Sequence, residues 1–150
     1  AIKNTIKDCG ISTDVIAGVC SETIEDHQDT LDMMRWVGYD SAFMFNYSQR
    51  SNTLAAKKYE DDIAYEEKTR RLEEIIDLQR KLSFESNQKD VGKIFEVLIE
   101  GESKRSKEQL FGRNTQNKVI IFDRKDFKIG EYVQVKITSC TSATLFGETI

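Results

Sequence analysis

The chain has 150 residues and a formal net charge of −4, with 39% hydrophobic and 32% charged residues. That balance fits one full globular domain or two small ones; no apolar run reaches the roughly 18 residues a membrane span needs, and no signal peptide opens the sequence. Three cysteines (Cys9, Cys20, Cys140), with no Cys-x-x-Cys pair, and a single histidine, His27, speak against a disulfide framework, a structural zinc site or a self-contained iron–sulfur site, and for a reduced, cytoplasmic protein.

Charge is uneven: residues 1–90 carry a net −6 and residues 91–150 a net +2, so any contact with a polyanion is expected to be local to the second part. Proline is absent, and domain boundaries have to be read from changes in periodicity. The first residue is Ala1 rather than methionine, which suggests a piece of a longer chain.

In chain order, residues 11–19 form a short β-branched, mostly apolar run, the composition of a strand buried on both faces as in a parallel sheet. Ser21 or Thr23 can then cap a helix whose first turn holds Glu22, Glu25 and Asp26, acids that complement its dipole. Ile24, His27, Leu31 and Met34 supply one packed face, and Gly38 ends the helix. A second strand follows over residues 41–47. Strand, helix, strand implies a right-handed parallel crossover. Two strands cannot make a stable α/β domain, so this piece reads as the tail of a larger (β/α) sheet.

From about Asp62 to Ser86 the pattern is helical, with Ile63, Leu72, Ile75, Ile76, Leu78 and Leu82 as the apolar stripe. Lys68, Arg70, Arg71, Arg80 and Lys81 alternate with Glu73, Glu74 and Asp77 and read as a solvated face with i,i+4 pairs. Beyond Asn87 the period becomes two. Phe95, Val97 and Ile99 alternate with polar or outward neighbours, as do Val133, Val135 and Ile137, and residues 109–113, 118–122 and 143–148 supply three more strands. Five short strands in such a span predict a small closed barrel of the oligonucleotide-binding type, since closure removes exposed edges.

Within that barrel, Phe111 to Lys118 packs two cations, three carboxamides and a glycine into one turn. Arg113 and Lys118 suit phosphate oxygens, while Asn114, Gln116 and Asn117 can bond base edges or sugars. The same composition also suits an ordinary polar hairpin loop. Phe111 and Phe122 read as core residues rather than stacking platforms.

A set of short motifs adds a resemblance. They are Asp8-Cys9-Gly10-Ile11-Ser12-Thr13-Asp14 with Ala17-Gly18, then Glu22-Thr23-x-Glu25-Asp26, and Tyr47-Ser48-x-Arg50-x-Asn52-Thr53. Gly112-Arg113-Asn114-x-x-Asn117-Lys118, Ile129-Gly130, Val135-Lys136-Ile137 and Leu145-x-Gly147-Glu148 complete the series. In this order and spacing the chain resembles, over essentially its full length, the C-terminal part of radical-SAM methylthiotransferases of the MiaB type, which act on tRNA.

The resemblance implies residues 1–60 as the end of a radical-SAM (β/α) barrel, 61–88 as a connecting helix and 89–150 as a TRAM RNA-binding β-barrel. The intact enzyme would attach a methylthio group to carbon 2 of the isopentenylated adenosine beside the anticodon, using S-adenosylmethionine and two [4Fe–4S] clusters. Its partners would be the tRNA anticodon stem-loop, the N-terminal cluster domain and the rest of the radical-SAM barrel, with no membrane. The family's cluster cysteines lie upstream, and Cys9, Cys20 and Cys140 do not match them, so this segment alone is expected to bind no cluster and to be inactive. Asp14, Gly18, Glu22 and Arg50 are the implied cofactor-side residues; Arg113, Asn114, Asn117 and Lys118 are the implied RNA-side residues. The chain departs from the family pattern at Cys20-Ser21, Ser51 and Asp123, where prolines or a Pro-Gly pair are usual. Two other readings remain at this level: a non-catalytic RNA-binding adaptor, and a sister enzyme that modifies a ribosomal protein, against which Arg113 and Lys118 argue.

Overall fold

The computed structural model describes residues 2–150. They divide into two compact units, one of residues Ser12–Leu82 and the other of residues up to Ile11 together with Ser83–Ile150. The second unit includes a single helical turn, α1 (Ile2–Thr5).

In the first unit, β1 (Ser12–Ala17) and β2 (Ser41–Asn46) pair in parallel with α2 (Ile24–Val37) between them, the crossover the periodicity predicts. Thr23 rather than Ser21 caps α2: its Oγ1 accepts from the Asp26 N–H at 3.1 Å, and the Asp26 carboxylate accepts from the Thr23 N–H at 2.9 Å. That bond, with the Thr23 hydroxyl behind it, holds the Asp26 pKa below its ordinary value. Gly38 closes the helix in the left-handed conformation, φ 61°, donating its N–H to the Met34 carbonyl at 2.9 Å.

Helix α4 (Tyr65–Gln88) starts three residues later than the sequence suggests, so Ile63 lies ahead of it. Ile75, Leu72, Leu78 and Leu82 pack with Ala17, Val15, Met44, Leu31 and Met34 into one core. Ile76, one residue round the helix from Ile75, is only half-buried. Ile24, expected on the packed face of α2, is its first residue and is exposed. The short helix α3 (Leu54–Lys58), capped by Thr53, carries no periodic signal of its own and is absent from the sequence reading.

In the second unit, β3 (Ile94–Ser103), β4 (Ser106–Arg113), β5 (Val119–Asp123), β6 (Tyr132–Cys140) and β7 (Leu145–Thr149) form a closed barrel in the order β3-β4-β5-β7-β6, with β6 returning to β3. All neighbours are antiparallel except β5 and β7. Alternate side chains fill the interior: Phe95, Val97, Ile99, Leu110, Ile120, Phe122, Val133, Val135, Ile137 and Leu145. Gly112 sits at such an inward position with the Leu98 carbonyl in the space a Cβ would take, so the β3–β4 approach requires glycine there. Phe122 is core, but Phe111 has the opposite parity to Leu110 and Gly112, and its half-buried ring lies over Gly101 on the outer side.

Candidate functional site

The first candidate site lies at the carboxyl ends of β1 and β2. In register, Ser12 stands beside Ser41, Asp14 beside Phe43 and Ile16 beside Phe45, all on the face turned away from α2 and α4. Ile16, Phe43 and Phe45 are 52%, 64% and 56% exposed, an apolar surface of a kind parallel sheets ordinarily cover. Beyond it opens a cleft of about 460 Å³ lined by Ile16, Phe45, Asn46, Tyr47, Arg50 and Thr53, among others. The turn that leads into α3 places Arg50, whose carbonyl accepts from the Thr53 hydroxyl at 2.8 Å. Oδ1 of Asn46 is buried with no hydrogen-bond partner among the described residues, which leaves an acceptor able to take a ligand donor.

Of the residues singled out by resemblance, Arg50 lines this cleft and is exposed. Asp14 is exposed two positions before Ile16 on the same sheet face. Gly18 and Glu22 occupy the loop after β1 and are bonded to one another, the Gly18 N–H donating to Glu22 Oε2. Gly18 has φ 73°, which favours glycine, and a side chain there would run into the methylenes of Lys68. The open space beside Gly18 that close ligand approach would need is therefore filled by this chain.

Sequence reasoning missed the residues that hold this loop. Lys68 and Arg71, read as members of a solvated face, are both 4% exposed. The signal was their spacing: 68, 71–72, 75, 78–79 and 82 continue one helical stripe, and the charge at two of those positions masked it. Arg71 bonds Glu67, the Glu22 carbonyl and the Glu22 carboxylate. Burial opposes its charge, but the bonds to Glu67 and Glu22 outweigh it and raise its pKa. A hydrogen bond to Cys20 raises the pKa of the Tyr47 phenol.

The second candidate site is the turn between β4 and β5. Asn114 is 6% exposed and organises it: its Oδ1 accepts the N–H groups of Gln116 at 3.1 Å and Lys118 at 3.0 Å. Lys118 also turns inward, its Nζ meeting Ser86 Oγ at 2.9 Å and Asp90 Oδ2 at 2.6 Å. Asp90, nearly fully buried, takes Lys93 on its other oxygen at 2.8 Å, and this bond raises the Lys93 pKa. Arg113 and Asn117 face outward together. The guanidinium donates to the Asn117 carbonyl at 3.0 Å and side-chain oxygen at 3.2 Å, and to Glu100 at 3.2 Å. Nothing in the sequence joins Asp90 to Lys118 across 28 positions.

Residues 88–150 match the family model of the TRAM domain. The barrel is a TRAM domain. Across all 150 residues the chain is 60% identical to a protein of Parabacteroides distasonis and 59% identical to one of Phocaeicola vulgatus, and over 142 residues 56% identical to one of Amoebophilus asiaticus. Each of the three is named tRNA-2-methylthio-N(6)-dimethylallyladenosine synthase. The chain spans 33% of the length of the first two and 29% of the third. It corresponds to the C-terminal third of these methylthiotransferases, with its own TRAM domain at the end. Among the described residues no helix is long and apolar enough to cross a membrane, and no group of three or more metal-ligating side chains comes together. Cys9, Cys20 and Cys140 are all free and half-buried.

Proposed function

We propose that this chain is the C-terminal portion of a tRNA-2-methylthio-N6-dimethylallyladenosine synthase, residues 1–60 ending a radical-SAM (β/α) barrel, 61–88 connecting, and 89–150 the TRAM domain that takes the tRNA anticodon stem-loop. The observation that carries this reading is identity of 54–60% across the whole chain to relatives of that name. The uncovered apolar face of β1 and β2 supports it, since further strands and a cofactor would cover Ile16, Phe43 and Phe45 in a closed barrel.

S-adenosylmethionine and two [4Fe–4S] clusters would supply the radical and sulfur-transfer chemistry, the clusters being held by cysteines of the remaining two thirds of the protein. The cleft fits the first of these ligands: Ile16 and Phe45 offer apolar contact, Asn46 Oδ1 an unused acceptor and Arg50 a cation for a carboxylate. Asp14 would contribute from the sheet face. Gly18 and Glu22 would act by shaping the loop, because their polar groups are already joined. On the TRAM domain, Arg113 and Asn117 would contact RNA, while Asn114 and Lys118 would hold the turn that presents them.

The test is made in the full-length holoenzyme. Methylthiolation of isopentenylated tRNA, followed by mass spectrometry of nucleosides, should be present in the parent. Arg50→Ala and Asn46→Ala should each weaken S-adenosylmethionine binding by equilibrium dialysis. A parent protein that leaves isopentenylated tRNA unchanged while both clusters are loaded would refute the reading.

A further inference from the structure

The loop from Gly18 to Glu22 holds an unusual backbone. Gly18 at φ 73° is at home there, but Ser21 at φ 65° is not a glycine and occupies a region few such residues adopt. Beside the Tyr47 phenol, which bonds Cys20, the groups that fix this loop from outside come from the short stretch Asp61–Arg71. Asp62 Oδ1 accepts the Ser21 N–H at 2.7 Å, and its other oxygen lies 3.4 Å from the Ser21 hydroxyl. Arg71 Nη1 donates to the Glu22 carbonyl at 2.9 Å and stands 3.1 Å from Glu22 Oε2, the oxygen that also accepts the Gly18 N–H. Lys68 lays its methylenes where a Gly18 side chain would be, pairs its Nζ with Asp61, and sets that nitrogen 5.2 Å from the centre of the Tyr47 ring.

Two buried cations are a costly way to pack a helix, since apolar side chains of similar volume would stabilise it as well or better. What they add is specificity: a guanidinium that bonds both the carbonyl and the carboxylate of one residue admits only one arrangement of that residue.

We propose that Lys68 and Arg71 are positioning residues: with Asp61 and Asp62 they clamp the Gly18–Glu22 loop in a fixed shape, so that S-adenosylmethionine at the carboxyl ends of β1 and β2 meets a preorganised wall. The proposal rests on the reading of that cleft as the cofactor site. A preorganised loop binds more tightly because its ordering cost is met before the ligand arrives. Neither side chain needs to touch the ligand.

The experiment compares full-length parent holoenzyme with Arg71→Met, Arg71→Lys and Lys68→Met, reading amide hydrogen exchange without ligand and S-adenosylmethionine affinity by dialysis. In Arg71→Met the Gly18 and Ser21 amides should exchange at least about tenfold faster while Leu31 and Met34 in α2 keep the parent's protection. Affinity should fall about tenfold in step. Arg71→Lys, which keeps the charge but cannot reach both Glu22 oxygens at once, should lie between. Lys68→Met, which keeps the methylene contact with Gly18, should change both readouts least. Unchanged exchange in Arg71→Met overturns the clamp. Faster exchange with the parent's affinity overturns its role in binding, provided Arg50→Ala or Asn46→Ala does weaken affinity. If neither of those variants does, the cofactor reading fails instead, and the exchange measurement alone still decides the clamp.

Discussion

The two units treat the edges and faces of their sheets in opposite ways. The TRAM barrel returns β6 to β3, pairs every strand on both sides, and buries ten apolar residues inside. The β1–β2 sheet has two strands, one face against α2 and α4, and the other face open with Ile16, Phe43 and Phe45 exposed. Closure makes the barrel sufficient to itself. The open sheet packs one face on an apolar core and has buried cations over the loop after β1, and its bare face is where the rest of a larger barrel and a ligand would lie under the proposed function.

The largest expected effect sharpens that contrast. Ile120→Asp, at the centre of the barrel and fully buried, should destabilise the barrel by about 4 kcal/mol, because it buries a carboxylate with no counter-charge. Ile16→Asp, on the open sheet face of this 150-residue chain, should cost within about 0.5 kcal/mol. Urea melts of the two variants decide it, and comparable losses would mean that the sheet face is covered in solution.

Next in size is the core beneath the sheet. Ile75→Ala should cost about 3 kcal/mol and Ile76→Ala about 1, since only the first is fully enclosed. Equal midpoint shifts would show that α4 is rotated from the arrangement described.

A smaller effect tests the TRAM turn. In salt titrations of tRNA binding, Arg113→Ala should lower the slope of log affinity against log salt by about one phosphate contact. Lys118→Ala should leave the slope alone and instead lower the barrel's melting temperature, because it strips a partner from buried Asp90. The reverse pattern would return Lys118 to the RNA-contacting set.

The smallest effect is acid sensitivity of the clamp. Arg70, and after it Arg71, hold the Glu67 carboxyl down at about 2 from an ordinary 4.5, and the Ser21 N–H lowers Asp62 from 3.8. Both groups bind fewer protons folded than unfolded. Their stabilisation is therefore complete above about pH 4.5 and fades as pH falls toward 2. Protection factors for the Gly18 and Ser21 amides should drop in that window before those of Val97 and Val135. Simultaneous loss would tie the loop to global unfolding instead.

Much of this molecule is legible in its sequence because the signals are local or periodic. Thr23 with Asp26 three residues on, Gly38 after the last helical residue, and Val133, Val135 and Ile137 at alternate positions each specify their own geometry. The run of short motifs carries the resemblance to methylthiotransferases without any tertiary information, and the relatives that the chain matches are named tRNA-2-methylthio-N(6)-dimethylallyladenosine synthase. Tertiary structure decided which charges are solvated. Lys68 and Arg71 look like their neighbours Arg70 and Lys81 in sequence, yet they lie buried over Gly18 and Glu22. Lys118 looks like a free phosphate-binding cation, yet it closes on Asp90. Composition records that a side chain is charged, whereas burial depends on partners tens of residues away, and only the folded chain brings Glu22 to Arg71 or Asp90 to Lys118.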